Sequence, residues 1–345
     1  MAHMKMNDFE IGPIRPPDEA DSLLIRTTRG CPWNRCHFCT LFKDVRFTIR
    51  SVDDIKEDIF AAQRHYNGAP LETCFLQDGD SFAMRTKDLL EVLKTLKQAF
   101  PSLRRISSYG RSQSMGRKSE AEITEICEAG LNMLYCGIET GSDKVLEIVR
   151  KGVTSDSIVE SSLRAKRAGM SLVVFGILGL GGKELSHEHI KDTAKVLNQI
   201  NPDNIRLMSL AVKQDAGLAE LIANGSFTML SEVEMVEEQR QLLDALEGID
   251  CRFHSNHSVN LLTEIAGVLP KDKIKLLSII DTFLSLSEAA QHNFILGKRL
   301  GYYHRLSDFE TSSSYNFIQN HVEKILKGNT GSLESVFHDL RNRVI

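Results

Sequence analysis

Long hydrophobic runs are missing from this 345-residue sequence, and no window approaches the ~20 consecutive apolar residues that a membrane-spanning helix needs. The first residues also lack the positive-then-apolar pattern of a secretory signal peptide, and residues 1–4 resemble the remnant of a cloning tag. We therefore expect the protein to work in the cytoplasm without a membrane partner.

A surplus of positive charge is also absent. The chain carries 42 Lys and Arg residues against 46 Asp and Glu residues, which gives a formal net charge of −4. Broad nucleic-acid binding depends on an excess of Lys and Arg that neutralises phosphates. The charge balance therefore argues against a nucleic-acid partner and favours a small-molecule or protein substrate.

Cysteine is sparse and unevenly distributed. An odd total of seven, without an export signal, does not suggest a disulfide framework. Cys31, Cys36 and Cys39 lie within nine residues, whereas the other four are scattered along the chain. We interpret the scattered cysteines as small buried hydrophobic residues.

From residue 23 the sequence alternates β-rich runs with amphipathic helical stretches. Strands are predicted at 23–28, 72–76, 105–109, 133–138, 171–178 and 204–210, and helices at 52–66, 87–100, 119–129, 155–168 and 186–200. Six such units with right-handed crossovers predict a parallel sheet with helices outside it. Because a full eight-unit barrel takes ~250 residues, we predict an α/β fold: a partial (β/α)6 TIM-like barrel with a mainly α-helical C-terminal extension.

After residue 210 the pattern becomes helical, with helices predicted at 230–246, 259–266, 271–290 and 317–326 and loops at 252–258 and 311–314. We divide the chain into an N-terminal lead-in (1–22), the partial barrel (23–215) and a helical region (216–345) that caps the barrel and shapes the substrate pocket. One polar group in this region could contact substrate, bind a second metal or form a polar turn; it consists of His254, Asn256, His257 and Asn260.

The first predicted strand leads into GCPWNRCHFC, in which three thiols have the spacing C-x4-C-x2-C. Three thiolates on one loop suffice for a [4Fe–4S] cluster whose fourth iron is left for a small molecule. A structural zinc site normally takes four protein ligands, and His37 is the only local candidate for the fourth. A zinc loop and three loosely grouped structural cysteines remain the alternatives.

At these residues the sequence resembles the radical S-adenosylmethionine (SAM) superfamily. Its signature is a three-cysteine loop, most often C-x3-C-x2-C, after the first strand of a partial (β/α)6 barrel; an aromatic residue usually precedes the last cysteine, as Phe38 does here. This chain has one extra residue in the first gap. The resemblance implies that Cys31, Cys36 and Cys39 hold a [4Fe–4S] cluster and that SAM is the second cofactor.

Later motifs resemble the same superfamily in chain order. The turn Asp78, Gly79 and Asp80 stands where the superfamily has a Gly-Gly-Glu-like motif that holds the amino group of SAM. The segment LYCGIETGSD at 134–143 resembles a stretch shared by oxygen-independent coproporphyrinogen oxidases, methylthiotransferases and Elongator-type enzymes. This resemblance implies that Glu139 contacts the ribose or amino group and that Arg150, or Lys151 beside it, lies near the SAM carboxylate.

The remaining expected site residues come from the other strands. The glycine-rich end of the fifth strand, with Gly179, matches the adenine-binding strand of the superfamily, and Met208 on the sixth strand would flank the base. Ser108 and Arg111 at the third strand are expected to face cofactor or substrate. The alternatives are a structural salt bridge for Glu139, core packing for Met208 and an ordinary loop for the glycines.

The resemblance implies an enzyme that reductively cleaves SAM to a 5′-deoxyadenosyl radical, which takes a hydrogen atom from substrate. It implies an oxygen-sensitive cluster, an electron donor such as flavodoxin or ferredoxin, and membership of the Elongator/coproporphyrinogen-oxidase-like branch. The absence of an N-terminal domain of cobalamin-binding length disfavours a B12-dependent methyltransferase. Two alternatives stay open: cluster-dependent methyl or aminocarboxypropyl transfer from SAM, and a non-catalytic metal-binding protein.

Overall fold

The computed structural model describes residues 9–309, 313–328 and 332–344. Its strands are β1 (Leu23–Arg26), β2 (Thr28–Arg29), β3 (Thr48–Ile49), β4 (Thr73–Gln77), β5 (Arg105–Tyr109), β6 (Leu131–Glu139), β7 (Ser171–Leu178), β8 (Asn204–Ser209), β9 (Cys251–His254) and β10 (Ala266–Leu269). Its helices are α1 (Val52–Tyr66), α2 (Thr86–Ala99), α3 (Ser112–Gly116), α4 (Glu120–Glu128), α5 (Asp143–Ile148), α6 (Ser155–Arg167), α7 (Gly182–Ile200), α8 (Gly217–Ala223), α9 (Glu232–Ala245), α10 (Lys273–Leu284), α11 (Glu288–Arg299), α12 (Leu306–Phe309), α13 (Tyr315–Lys327) and α14 (Leu333–Asn342).

One sheet has the strand order β1-β4-β5-β6-β7-β8-β9-β10, and β2 pairs with β3 in an antiparallel ribbon. The pairs β1–β4, β4–β5, β5–β6 and β8–β9 are parallel, and β9–β10 is antiparallel. From β1 to β8, helices connect successive strands of the sheet, as parallel neighbours require. The predicted α/β fold class with six parallel strand–helix units is confirmed.

Local sequence determines where the helices begin and end. The hydroxyl of Ser51 accepts a hydrogen bond from the backbone N–H of Asp54 and caps α1. Ser119 and Glu122 form a reciprocal capping box at the start of α4. Asn67 ends α1 in the left-handed conformation, with φ 45°.

Two predictions in the C-terminal region are wrong. The predicted loop at 252–258 contains most of β9, and the predicted helix at 259–266 is irregular until β10 begins. Cys251 and Phe253 are buried and Arg252 is exposed, which is the two-residue period of a strand. The side chain of Asn260 accepts a hydrogen bond from Ser209 N–H (2.6 Å) and donates one to the Leu207 carbonyl (2.8 Å). These tertiary bonds hold the chain out of a helix.

Other helix boundaries also differ from the prediction. α7 begins at Gly182, so Ser186 lies inside the helix instead of capping it. The predicted helix at 271–290 is two helices, and the hydroxyl of Ser287 caps the second by accepting from Ala290 N–H. The predicted loop at 311–314 lies partly outside the described residues, and the predicted tag remnant at 1–4 lies wholly outside them.

Two compact units make up the chain. The first comprises Met1–Arg35, Leu41–Gly137 and Asp156–Val173, and the second comprises Cys36–Thr40, Ile138–Ser155 and Val174–Ile345. The division at 22 and 215 that the sequence suggests stays a prediction. Within the described ranges, no helix combines the length and the apolar character needed to cross a membrane.

The strand β9 gives a direct test of the fold. We expect Phe253→Ala to lower the free energy of unfolding by about 3–5 kcal/mol, because the Phe253 ring is fully buried. Chemical denaturation measures this loss, with Arg252→Ala on the same strand as the control that changes stability by about 0.5 kcal/mol or less. Equal effects of the two substitutions would contradict the assignment of this segment as a strand.

Candidate functional site

The three cysteines predicted to bind metal lie on the loop after β2. Each of the three is a cysteine outside any disulfide and is of intermediate exposure. Arg111 Nη1 donates a hydrogen bond to Cys31 Sγ at 3.8 Å. The backbone N–H of Cys39 donates to the carbonyl of Cys36 at 3.4 Å, which turns the chain between the last two cysteines.

This donor set fits a [4Fe–4S] cluster, because each of three accessible thiolates can bind its own iron atom. Among the residues with described positions, no group of three His, Cys, Asp or Glu side chains is placed to hold one metal ion. A single zinc ion needs its ligands around one point, whereas cluster ligands are spread over separate irons. The assignment of these three cysteines as the ligands stays a prediction.

Within the second unit, the segment around Phe38 is held by backbone hydrogen bonds. His37 N–H donates to the Val149 carbonyl, and Leu218 N–H donates to the His37 carbonyl, both at 2.9 Å. Phe38 packs against a buried apolar cluster that includes Val149 and Leu218, and Lys151 Nζ lies 5.8 Å from the centre of its ring. The second half of the cysteine motif is therefore fixed through the residues between its thiols.

Within the first unit, the turn after β4 is bonded directly to the start of the cysteine loop. Asp78 is fully buried, and its Oδ2 accepts hydrogen bonds from Arg26 Nη2 (2.5 Å) and Gly30 N–H (3.2 Å). Asp78 N–H donates to Thr28 Oγ1, and Gly79 N–H donates to the Gly30 carbonyl, both at 3.2 Å. A side chain at Gly79 would place its Cβ only 2.9 Å from the Gly30 oxygen, so the contact requires glycine.

The acids of this turn have polar groups available for a ligand. Asp78 Oδ1 is buried and has no hydrogen-bond partner within the described residues. Burial raises the pKa of Asp80 to about 6, although hydrogen bonds from the Ser114 hydroxyl and nearby backbone oppose the shift. A buried carboxylate oxygen without a donor is costly. A cationic amino group would supply the missing donor, as the resemblance to the SAM-binding motif implies.

The third predicted strand contributes residues of two kinds. Arg111 lies beside the cysteine loop, where it contacts Cys31 and has its guanidinium carbon 5.7 Å from the centre of the Trp33 ring. Ser108 is buried on β5, and its hydroxyl donates to the carbonyl of Tyr109 at 3.1 Å. The structure thus brings Arg111 to Cys31 and gives Ser108 a bond within its own strand.

In the second unit, Glu139 at the end of β6 pairs with Lys151. Lys151 Nζ donates to Glu139 Oε1 at 2.7 Å, and both residues are buried. Arg150, the residue first expected near the SAM carboxylate, is exposed. Glu139 and Arg150 have φ values of 67° and 50°, a left-handed conformation that is rare for residues with side chains. Such conformations are concentrated at functional sites.

The two residues expected around adenine lie on neighbouring strands of the second unit. Gly179 follows β7 with φ 81°, and its carbonyl accepts a hydrogen bond from Gly182 N–H at 3.1 Å. Met208 lies on β8 and is partly exposed. Their roles toward a cofactor stay predictions.

The polar group in the C-terminal region contacts residues of β8. His254 Nδ1 lies 3.0 Å from Asn204 Oδ1, and Arg206 donates to Asn256 Oδ1 at 3.3 Å. Burial and the nearby Arg206 lower the pKa of His257. His254, Asn256 and Asn260 thus bond this segment to β8, and the roles of the two histidines stay predictions.

Arg26 and Thr28 are site residues that the sequence reasoning missed. Both bond to Asp78. The sequence indicated a role for Arg26, because a charged residue beside buried apolar neighbours needs a partner. Lys151, which the sequence offers as the alternative to Arg150, is the residue that pairs with Glu139.

The comparison with protein families decides the class. The family model of the Radical SAM superfamily matches residues 25–197, half of the chain. The chain belongs to the radical SAM superfamily. This is a superfamily of enzymes that use a [4Fe–4S] cluster and SAM, so the expected enzyme class and cofactors are confirmed.

Two curated proteins and one solved structure illustrate the likeness. The chain is 26% identical over 182 residues to the uncharacterised methyltransferase PH0819 of Pyrococcus horikoshii, covering 52% of this chain and 37% of that protein. It is 20% identical over 218 residues to the heme chaperone HemW of Bacillus subtilis, covering 61% and 56%. The chain therefore spans less than two thirds of the length of these relatives.

The cobalamin-dependent SAM radical enzyme OxsB supports the fold. Its structure with aqua-cobalamin and SAM bound matches 94% of this chain and 53% of its own, with a TM-score of 0.52 and 14% identity. At this identity the likeness concerns the fold alone.

The buried pair of Glu139 and Lys151 gives a stability prediction. We expect Lys151→Met to lower the free energy of unfolding by about 3 kcal/mol, because it leaves the Glu139 carboxylate buried without its cation. Chemical denaturation of this variant, of Glu139→Gln and of the double variant measures the coupling between the two side chains.

The matched control is Lys144→Met, which breaks an exposed pair with Glu188 in the same unit. We expect the control to leave the melting temperature almost unchanged, since exposed pairs contribute little. Additive effects of the Glu139 and Lys151 substitutions would show that the pair is not coupled.

Proposed function

We propose that this chain is a radical SAM enzyme in which Cys31, Cys36 and Cys39 hold the cluster. The observation that carries the proposal is the bonding of the Asp78 turn to the cysteine loop, with a buried carboxylate oxygen left for a ligand. Membership of the superfamily supports the proposal, and so does the order of the motifs along the chain.

Most of the predicted residues have a role in this proposal. A cluster held by Cys31, Cys36 and Cys39 would supply the electron for reductive cleavage of SAM to methionine and a 5′-deoxyadenosyl radical, the species that would abstract a hydrogen atom from substrate. Asp78, Gly79 and Asp80 hold the cationic amino group of SAM. Arg111, beside Cys31, stabilises negative charge close to the cysteine loop.

The remaining residues bind the rest of SAM. Glu139 accepts from the ribose or amino group while Lys151 keeps its carboxylate in place. Arg150 is exposed, and we assign it to the SAM carboxylate, which rotation of its side chain would allow it to approach. Gly179 allows the adenine to approach the backbone, and Met208 flanks the base.

The substrate and donor follow from chemistry and charge. The net charge of −4 favours a small molecule or a protein over a nucleic acid as substrate. The reaction consumes one electron per cleavage event, and a flavodoxin or ferredoxin in the cytoplasm would supply it. We place the enzyme in the Elongator/coproporphyrinogen-oxidase-like branch on the segment at 134–143.

Methyl transfer from SAM is the second candidate. The relative from Pyrococcus horikoshii is named a methyltransferase, and it aligns with half of this chain. The same cofactors serve both reactions, so the products distinguish them.

Replacement of the cysteines tests the cluster. We expect Cys36→Ala and Cys39→Ala to lose the visible absorbance that the wild-type protein gains on anaerobic reconstitution with iron and sulfide. Cys127→Ala, at a partly exposed cysteine outside the loop, should retain it. Unchanged absorbance in the two loop variants would contradict the ligand assignment, and one zinc per chain in place of iron would favour a metal-binding protein.

Mass spectrometry after reduction with dithionite then identifies the reaction. Release of 5′-deoxyadenosine with methionine supports radical chemistry. S-adenosylhomocysteine would support methyl transfer, and methylthioadenosine would support aminocarboxypropyl transfer. A fully loaded cluster that yields none of these products would contradict the proposed function.

A further inference from the structure

Glu238 is a buried acid that the proposed reaction does not use. It lies on α9, outside the residues that match the superfamily, and only 1% of its surface is exposed. Ionisable side chains are rarely buried unless their polar atoms are bonded. Its contacts therefore indicate what the residue does.

Both oxygens of the Glu238 carboxylate are occupied. Oε2 accepts a hydrogen bond from Gly179 N–H, and Oε1 accepts one from the hydroxyl of Ser186, both at 2.6 Å. Gly179 begins the glycine-rich turn after β7, and Ser186 lies in the second turn of α7, the helix that follows. One side chain thus clamps the two sides of the turn.

A second residue of α9 limits the same turn. A Cβ at Gly179 would lie 3.2 Å from Met235 Sδ, so Met235 packs closely against the glycine backbone. Met235 and Glu238 are three residues apart and therefore lie on one face of the helix. This face of α9 therefore packs against Gly179 and holds it in place. Gly179 has a φ of 81°, which glycine adopts without strain.

We propose that Glu238 is a positioning residue that holds the Gly179 turn in the conformation that binds the adenosine part of SAM. This inference rests on the proposed function, which assigns Gly179 to adenine. It gives the C-terminal region a part in cofactor binding through α9, in addition to the substrate-capping role predicted from the sequence.

The charge of Glu238 matters because a carboxylate accepts stronger hydrogen bonds than a neutral acid. Burial raises the pKa of Glu238 to about 7, while the bonds from Ser186 and Gly179 oppose the shift and Glu234 adds to it. Glu234 is paired with Lys183 of α7 at 2.8 Å, and burial lowers the pKa of His189 on α7 to about 4. The packed helices carry further charged or titratable groups. These are Glu184, His187, Glu188, Lys191, Asp192 and Lys195 on α7, Lys273, Lys275 and Asp281 on α10, and Glu232, Glu237, Arg240 and Asp244 on α9, with Asp281 paired to Arg240.

Equilibrium dialysis of SAM against the anaerobically reconstituted protein tests the proposal. We expect Glu238→Ala to raise the Kd by about tenfold, because both bonds to the turn are lost. Glu238→Gln, whose amide can accept from Gly179 and donate to Ser186, should stay within about threefold of wild type. The neighbouring exposed Glu237→Ala is the matched control and should bind SAM as the wild type does.

The pH profile separates positioning from a general loss of stability. The wild-type Kd should rise as the pH falls from 8 to 6, because protonation of Glu238 weakens the bond to Gly179. This component of the pH dependence should be missing from Glu238→Gln. In turnover, Glu238→Ala should raise the KM for SAM more than it lowers kcat.

Each outcome bears on a different claim. Wild-type protein that binds SAM, together with a Glu238→Ala variant within twofold of it, would overturn this inference alone. The same pH profile in Glu238→Gln and wild type would also overturn it, even if Glu238→Ala fails to fold. Wild-type protein with a full cluster that binds no SAM would overturn the proposed function and this inference together.

Discussion

The hydrogen bonds of the Asp78 carboxylate are the contacts on which the first half of the site depends. Arg26 at the end of β1 and Gly30 at the start of the cysteine loop both donate to the same oxygen of Asp78, which follows β4. Parallel neighbouring strands end at the same edge of a sheet, and this pairing brings the two turns within reach. One buried acid therefore fixes the cysteine loop relative to the turn expected to bind SAM.

The second unit holds its predicted site residues by a different arrangement. Glu139 is held by Lys151, and Phe38 packs against the apolar cluster below the segment that carries Cys36 and Cys39. A buried ion pair adds little stability on its own, but removal of one partner leaves an uncompensated charge. Such pairs fix the orientation of a carboxylate, which is what binding a sugar hydroxyl or an amino group requires.

The sequence predicted the strand–helix units well because their signal is local. Buried parallel strands such as β7 are continuous apolar runs, and the helices carry one apolar face and a capping residue. The prediction failed at 252–266, where β9 has only four residues and Asn260 is bonded to distant backbone. Tertiary contacts of this kind leave no trace in the order of the residues nearby.

The candidate site was predictable as far as its motifs extend. The three cysteines, the acidic turn and Glu139 were predicted because each belongs to a short motif at the end of a strand. Arg26 and Glu238 were missed because their partners are distant in sequence. The most direct measurement of the account is the Kd for SAM of Asp78→Asn, with Asp88→Asn on α2 as the control and iron content determined for both. The account predicts that Asp78→Asn raises the Kd for SAM by about tenfold or more, since a charged acceptor is lost. It predicts an unchanged Kd for the control. Wild-type affinity in Asp78→Asn would contradict it.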